Sequence, residues 1–385
     1  MRIIPYGKQY IDRSDIKLVS NSLKESLITT GNFVKKFEDT ISKFLKVKYS
    51  ISCNSGTAAL HLAFYSINLK KNDIIIMPAI NFIAAYSMAK QVGAKVILAD
   101  VDPNSGQMTP KTLLDCIKQN KIKKIKAILT MHLGGYVENP YDFYKIKKKF
   151  KCYLIEDGCH ALGSTYQYKE KKINIGSCKH SDICTFSLHP VKTITAGEGG
   201  IVTTNNAKLK EKILLLRSHG IIKKNHWTYD IRHLSFNYRL SDINCALALS
   251  QIKKIKKFIK FRKKVFRFYT KKLIDNKIIQ MQKFNNIISS SHHLFLIKIN
   301  FNRLKVNKDF FIKYMLKKKI ILQFHYQPIF KFTKIFHQKL NIKNYKGSLA
   351  YEKKFVSLPI FYKLSNKDLL NIVKNIKTFI RTYSR

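Results

Sequence analysis

The 385-residue chain holds no apolar run approaching the roughly 18–20 residues of a membrane span, which argues against a membrane protein. No apolar stretch follows Met1–Tyr6, so no secretory signal is read and a cytoplasmic protein is expected. None of the seven cysteines pairs at C-x-x-C spacing, and seven is odd. A zinc site or disulfide framework is therefore not expected; buried free thiols are. There is no Walker pattern, no internal repeat and no flexible linker. Acidic residues are scarce, 23 against 72 Lys and Arg, for a net charge of +49. Hydrophobic residues make up 45%, enough for a sizeable core, which excludes a disordered chain.

The lysines run along the whole chain, in triplets such as Lys147–Lys149 and Lys317–Lys319. A nucleic-acid footprint should cluster on one face. The excess is therefore read as compositional, with no nucleic acid and no membrane among the expected partners. The segment 251–272 stands apart. Ile252, Ile255, Ile259, Val265, Phe266 and Tyr269 recur at helical spacing with Lys and Arg between them. It reads as one long amphipathic helix with a solvated basic face; a surface for nucleic acid or anionic lipid is the alternative.

Along the rest of the chain strands alternate with helices. After a lead-in with helices near 14–26 and 34–45, apolar runs at 49–52, 74–77, 95–99, 126–131, 152–155, 183–187 and 200–203 read as strands. Helices are expected between several of them; Thr109-Pro110, a cap followed by a first-turn proline, opens one. That rhythm implies an α/β layer with a mainly parallel sheet covered on both faces. Strands at 293–299 and 320–324 and helices at 307–317 and 366–381 complete the chain. Residues 1–250 are expected to form a large domain and 251–385 a smaller C-terminal α+β domain entered by the long helix.

Three segments carry chemistry. In F-S-L-H-P-V-K-T-I-T-A-G-E-G-G, Lys192 follows an apolar strand, has apolar or small neighbours, and meets no other charge until Glu198. A lysine shielded from water has a lowered pKa and can condense with an aldehyde as a Schiff base. In Y-L-I-E-D-G-C-H-A-L-G, a hydrophobic strand ends at Asp157, where open α/β sheets bind ligands. A carboxylate there could hold a pyridinium proton; a turn or cap role is the plainer reading. In N-S-G-T-A-A-L, a small-residue turn entering a helix makes an anion pocket from N–H groups and hydroxyls, although such a turn is also ordinary structure. Lysine, pyridinium partner and phosphate cradle together are what pyridoxal 5′-phosphate requires.

On these residues the sequence resembles the DegT/StrS-type sugar aminotransferases, a branch of the fold-type I pyridoxal-phosphate enzymes. The resemblance also rests on Gly31 with Val34, Phe37 and Glu38, on R-S-H-G at 217–220, and on F-N-Y-R-L-S-D-I at 236–243. It implies Lys192 as the Schiff-base lysine, Asp157 at the pyridine nitrogen and His160 near the 3-oxygen. It also implies Phe82 stacked on the ring, and Gly56, Thr57 and Ser187 at the phosphate. Asn237 would reach the phosphate from a partner subunit, which makes a homodimer with shared sites the expected assembly. R-S-H-G-I-I-K-K, F-S-L-H-P-V-K and Phe324–Ile329 are most similar to the pseudaminic acid branch. There the partners would be a UDP-4-keto sugar and the amino donor L-glutamate. Tyr6, Ser26, Leu27, Ile28, Thr29, His325, Tyr326, Gln327 and Pro328 fall where that branch contacts the sugar nucleotide, with Gly56, Ser187 and Asn237 shared between the two ligands. Met131–Gly135, Ser235 and Gly56 depart from that branch and leave bacillosamine- or perosamine-type precursors as alternatives. A non-catalytic, nucleic-acid-binding relative would need an appended helix-turn-helix segment, and none is visible. The related dehydratases carry histidine where Lys192 stands.

Overall fold

The computed structural model describes residues 2–273, 278–281, 288–337 and 340–384. Short apolar runs form seven strands: β1 (Tyr49–Cys53), β2 (Ile74–Pro78), β3 (Lys95–Ala99), β4 (Ala127–Met131), β5 (Tyr153–Asp157), β6 (Ile183–Ser187) and β7 (Gly200–Thr204). They pair in the order β1-β7-β6-β5-β4-β2-β3. Pairing is parallel from β6 to β3, and β7 runs antiparallel to both its neighbours. The mainly parallel seven-stranded sheet expected from the sequence is therefore present. β7 is the one reversed strand. In consequence the carboxyl ends of β1, β4, β5 and β6 share one edge of the sheet with the amino end of β7.

Helices cover both faces: α1 (Arg13–Ser22), α2 (Asn32–Leu45), α3 (Gly56–Ser66), α4 (Ile83–Gln91), α5 (Pro110–Gln119), α6 (Pro140–Phe150), α7 (Ala207–Arg217) and α8 (Asp242–Lys253). The cap read at Thr109 is real: its hydroxyl accepts from Thr112 N–H at 3.1 Å. One core packs α3, α4 and α7 against one face of the sheet. A second packs α2 and α8 against the other face, and a third packs α5 and α6 there. Six cysteines are buried in the fold and Cys159 is half-buried.

Motifs at 31–38, 217–220 and 236–243 hold this framework together. Glu38 accepts from Arg217 Nη1 at 2.7 Å and from the N–H and hydroxyl of Ser52 at 2.8 Å each. Asp242, wholly buried, accepts from the N–H groups of Gly31 and Phe33 at 2.7 and 2.8 Å. It thereby satisfies the open first turn of α2 with a carboxylate, where the helix dipole favours negative charge.

Beyond residue 254 run α9 (Ile255–Leu273), α10 (Lys308–Lys317), α11 (Lys346–Lys354) and α12 (Asn366–Tyr383). A small antiparallel sheet is ordered β8 (Ile279–Met281), β9 (Phe295–Ile299), β10 (Phe355–Leu358). Ile252, Ile255 and Phe258 belong to a core of the large sheet, whereas Val265, Tyr269 and Leu273 belong to the core of the small one. The changeover between the two cores lies inside α9.

Three expectations are corrected. The first helix stops at Ser22 rather than 26. The segment 251–272 is two helices that break at Lys254, whose ammonium pairs with Asp12 and Asp15 at 2.9 and 2.6 Å. Those pairs pin the junction to α1, a tertiary contact that periodicity does not register. Residues 320–324 form isolated bridges, Ile4 to Ile320 and Gln323 to Ser357, and not a strand. On α9 the expected basic face is exposed, but Arg262 is buried. Among the described residues no helix is long and apolar enough to cross a membrane.

Candidate active site

The shared edge of the sheet opens into a cavity of about 520 Å³. Its walls include Gly56, Thr57, Phe82, Asp157, His160, Ser187 and Lys192 from the large-sheet region. Tyr6, His293, Gln323, Phe324, His325 and Tyr326 close it from the N-terminal segment and the small-sheet region. Lysine and carboxylate, 35 positions apart in sequence, thus share one chamber at the carboxyl ends of the strands.

Each element places its side chain for a local reason. Asp157 ends β5, is 3% exposed, and takes the N–H of Cys159 on Oδ1 at 3.1 Å. Lys192 lies in the loop joining β6 to reversed β7. Because both ends of that loop are on the same edge, a dozen residues suffice to carry the lysine over the strand ends. Loss of water lowers the Lys192 ammonium pKa; Asp157, opposite in charge, restrains the shift. The same seclusion, with Asp157 nearby, holds the Cys159 thiol well above its ordinary range, so it stays protonated and is not a rival nucleophile.

Gly56 opens α3 behind the cap Ser55, whose hydroxyl accepts from Ala58 N–H at 3.0 Å. A Cβ on Gly56 would lie 2.8 Å from the Ser187 side chain, so only glycine leaves that space open. The first N–H groups of a helix have no partner within it, and the dipole adds positive potential, so this corner is built for an anion. Phe82 caps α4 with its ring half exposed on the cavity, 5.7 Å from the Tyr326 ring.

Three buried histidines crowd the inner wall. His160 Nδ1 accepts from Gly134 N–H at 3.3 Å and its Nε2 lies 3.0 Å from Tyr326 Oη. His293 stacks on it at 4.3 Å, and His325 Nδ1 bonds Ser357 Oγ at 2.8 Å. Burial, and the positive charge of Lys192 next, push all three well below the ordinary histidine range, so the imidazoles are neutral.

Some expected residues lie elsewhere. Ser26, Leu27, Ile28 and Thr29 do not line the cavity of their own chain; Leu27 and Ile28 are exposed, and Ile28 O accepts from Asp242 N–H. Asn237 also lies outside it: its side chain takes Arg239 N–H at 3.2 Å and its main-chain O accepts from Asn54 Nδ2. Gln327 and Pro328 fall just beyond the wall. Conversely, Ser55, Met131, Cys159, His189, Glu198, His293 and Gln323 line the cavity without having been singled out. Ser55, as the residue capping α3, had a readable signal; His293 and Gln323 had none, because their approach is a product of the small-sheet region.

Phe324 brings a pH dependence with it. Lys308 Nζ sits 3.2 Å from its ring centroid and donates to Glu352 O at 2.6 Å. Burial pushes this lysine down to about 7 from 10.5, against the pull of Glu352 and Asp309. Above that value the unfolded chain keeps a proton that the folded chain releases, so stability rises with pH until the unfolded lysine also titrates. Thermal unfolding from pH 7 to pH 10 should show a smaller rise in Tm for Lys308→Met than for wild type. Equal slopes would refute the assignment.

Comparison with known proteins adds the following. A sequence profile of the DegT/DnrJ/EryC1/StrS aminotransferase family matches residues 9–377. A Campylobacter jejuni (strain 81-176) protein, UDP-4-amino-4,6-dideoxy-N-acetyl-beta-L-altrosamine transaminase, is 35% identical over 384 residues, covering 97% of this chain and 99% of the relative. The solved structure of Helicobacter pylori PseC, an aminotransferase of pseudaminic acid biosynthesis, superposes with a TM-score of 0.89 at 28% identity, covering 99% of this chain and 100% of that one. Streptococcus pneumoniae Spr1654 in its PLP form superposes with a TM-score of 0.89 at 25% identity, covering 99% of each chain.

Proposed function

Since this chain belongs to the DegT/DnrJ/EryC1/StrS aminotransferase family, we propose that it moves an amino group from L-glutamate to C4 of a UDP-linked 4-keto-6-deoxy-N-acetylhexosamine. The product would be UDP-4-amino-4,6-dideoxy-N-acetyl-β-L-altrosamine, a precursor of pseudaminic acid, made in the cytoplasm. The carrying observation is full-length similarity to a transaminase of that specificity in a chain whose Lys192 and Asp157 share one cavity.

The donor set fits pyridoxal 5′-phosphate: a lysine of lowered pKa, a buried carboxylate, and an anion corner kept open by Gly56. That cofactor supplies an aldehyde and an electron-accepting ring. In this reading Lys192 would hold the cofactor through its aldehyde, and its amine would serve as the group that moves a proton. Asp157, its carboxylate fixed by Cys159 N–H, would hold a proton on the ring nitrogen. Gly56, Thr57 and Ser187 would hold the phosphate, and Phe82 would lie at the ring. Tyr6, His325 and Tyr326 meet the sugar nucleotide, with Gln327 and Pro328 behind them.

The assembly in this reading is a homodimer in which the partner supplies Asn237 and the 26–29 segment, neither of which lines its own chain's cavity. A hairpin, Ile221–Lys223 with Tyr229–Ile231, and the segment after it leave Trp227, Tyr229, Leu234 and Phe236 exposed, Leu234 at 90%. So much apolar surface in one segment is what an interface buries. Light scattering should give twice 44.8 kDa for wild type. Trp227→Glu with Leu234→Glu should give the monomer and lose activity; an active monomer would contradict the shared site. The two cores, meeting inside α9, mark the large and small domains of this reading.

The decisive assay offers glutamate with UDP-4-keto sugars of both C5 configurations and with a GDP-4-keto sugar, reading products by mass spectrometry and NMR. Amination of the UDP-linked β-L-arabino-configured ketone first among them is expected; preference for the GDP sugar would overturn the substrate reading.

A further inference from the structure

His293 lies on the wall of the cavity with no role yet given to it, and its Nδ1 is buried without a hydrogen-bond partner among the described residues. A buried polar atom left in that state calls for an explanation. Its surroundings supply one. The segment before β9 grips His160 at two points: Ser291 Oγ donates to His160 O at 3.0 Å, and the His293 ring lies 4.3 Å from the His160 ring, tilted by 39°. The approach is close enough that a Cβ on Gly135 would stand 2.5 Å from Ser291 Oγ and 2.9 Å from His160 O. The segment is anchored from behind by Arg262 of α9, 3% exposed, whose Nη1 donates to His293 O at 3.1 Å and Ile360 O at 2.9 Å.

What this grip holds can be read from one obligatory donor. The main-chain N–H of Gly134 points at His160 Nδ1, so Nδ1 must accept. In a neutral imidazole the proton then sits on Nε2, which donates to Tyr326 Oη at 3.0 Å. A hydroxyl that receives this bond keeps its own proton for another acceptor, and the remaining direction for Tyr326 is the cavity it lines.

We propose that His293 is a positioning residue: it clamps the His160 ring so that Nε2–H meets Tyr326, which makes the Tyr326 hydroxyl a hydrogen-bond donor to an oxygen of whatever fills the cavity. The proposal rests on the aminotransferase reading only for the identity of that oxygen. The small-sheet region thus sets the direction of a proton at the catalytic wall through a ring stack, without touching the ligand.

The test uses the full-length protein as purified, with ring-¹⁵N histidine, and assigns His160 among the 12 histidines by the signal missing in His160→Gln. Wild type should show His160 as the Nε2–H tautomer. His293→Ala should give a mixture of tautomers, and His293→Phe, which keeps a ring to stack, should restore the single form. In parallel, kcat of His293→Ala should fall about 10²-fold, the scale of a misplaced catalytic group, with KM little changed; His293→Phe should recover most of it. Tyr326→Phe should lose activity to which His293→Ala adds little. An Nδ1–H tautomer in wild type, or an unchanged Nε2–H signal in folded His293→Ala, would overturn the proposal. Should His293→Ala not fold, His293→Leu at unchanged Tm gives the same two outcomes. The tautomer is read without substrate, so a wrong sugar assignment leaves it untouched and the two readings fail separately.

Discussion

Lys192→Ala is expected to purify without the covalently held yellow chromophore and to lose transamination almost entirely. Two functions disappear together. In the proposed function the ε-amine would be the nucleophile that bonds the cofactor aldehyde, and the burial that lowers its pKa favours the free amine. Among the described residues it is also the only lysine lining the cavity, which leaves no second amine there to carry the proton. Proton transfer by a placed group is worth about 10²–10⁴-fold, and loss of the covalent anchor adds to that. The check is borohydride reduction followed by peptide mass spectrometry, with activity measured beside it. Wild type should yield a modified peptide containing position 192 and the variant none. A reducible link elsewhere, or a variant within tenfold of wild type, would remove Lys192 from the centre of the reaction. Added methylamine should restore part of the rate, because it replaces the missing base without a tether.

Asp157→Asn is the second large effect expected, and it isolates charge from shape. The amide oxygen can still accept from Cys159 N–H, so the turn after β5 keeps its geometry. What is lost is the negative charge that would face the protonated ring nitrogen in a site 3% exposed. Removing one partner of a buried ion pair costs about 3–5 kcal/mol, which is roughly 10²–10⁴-fold in affinity or rate. Equilibrium titration of the variant with pyridoxal phosphate should show weakened binding, and kcat should fall even at saturation, because an unprotonated ring is a poor acceptor of electrons. Tight binding with full kcat would mean that Asp157 serves the fold alone.

Much of this site was legible because it is local. F-S-L-H-P-V-K holds a strand, a stop and the lysine within seven residues, and Y-L-I-E-D shows a carboxylate at the end of an apolar run. N-S-G-T shows a cap and the glycine that leaves room for an anion. In each case the side chain and the element that aims it are neighbours in sequence. The break between α8 and α9 was not legible, since it is made by Lys254 reaching Asp12 and Asp15, some 240 positions away. Nor was the inner wall: His293 and Gln323 join the lysine's cavity only because the small-sheet region packs against the large sheet. The 26–29 segment and Asn237 were named from resemblance, and one chain does not bring them to its own cavity.

Composition and motif order determined the kind of molecule: an α/β layer, strand ends as the working edge, and a lysine–carboxylate–anion-corner chemistry. Those follow from short-range rules, the alternation of apolar runs and the residues at their ends. Tertiary structure alone decided that β7 runs backwards, placing Lys192 over the strand ends, and that a segment beyond α9 grips His160. These depend on which distant surfaces pack together, and that choice is made by burial summed over many residues, which no local stretch of sequence records.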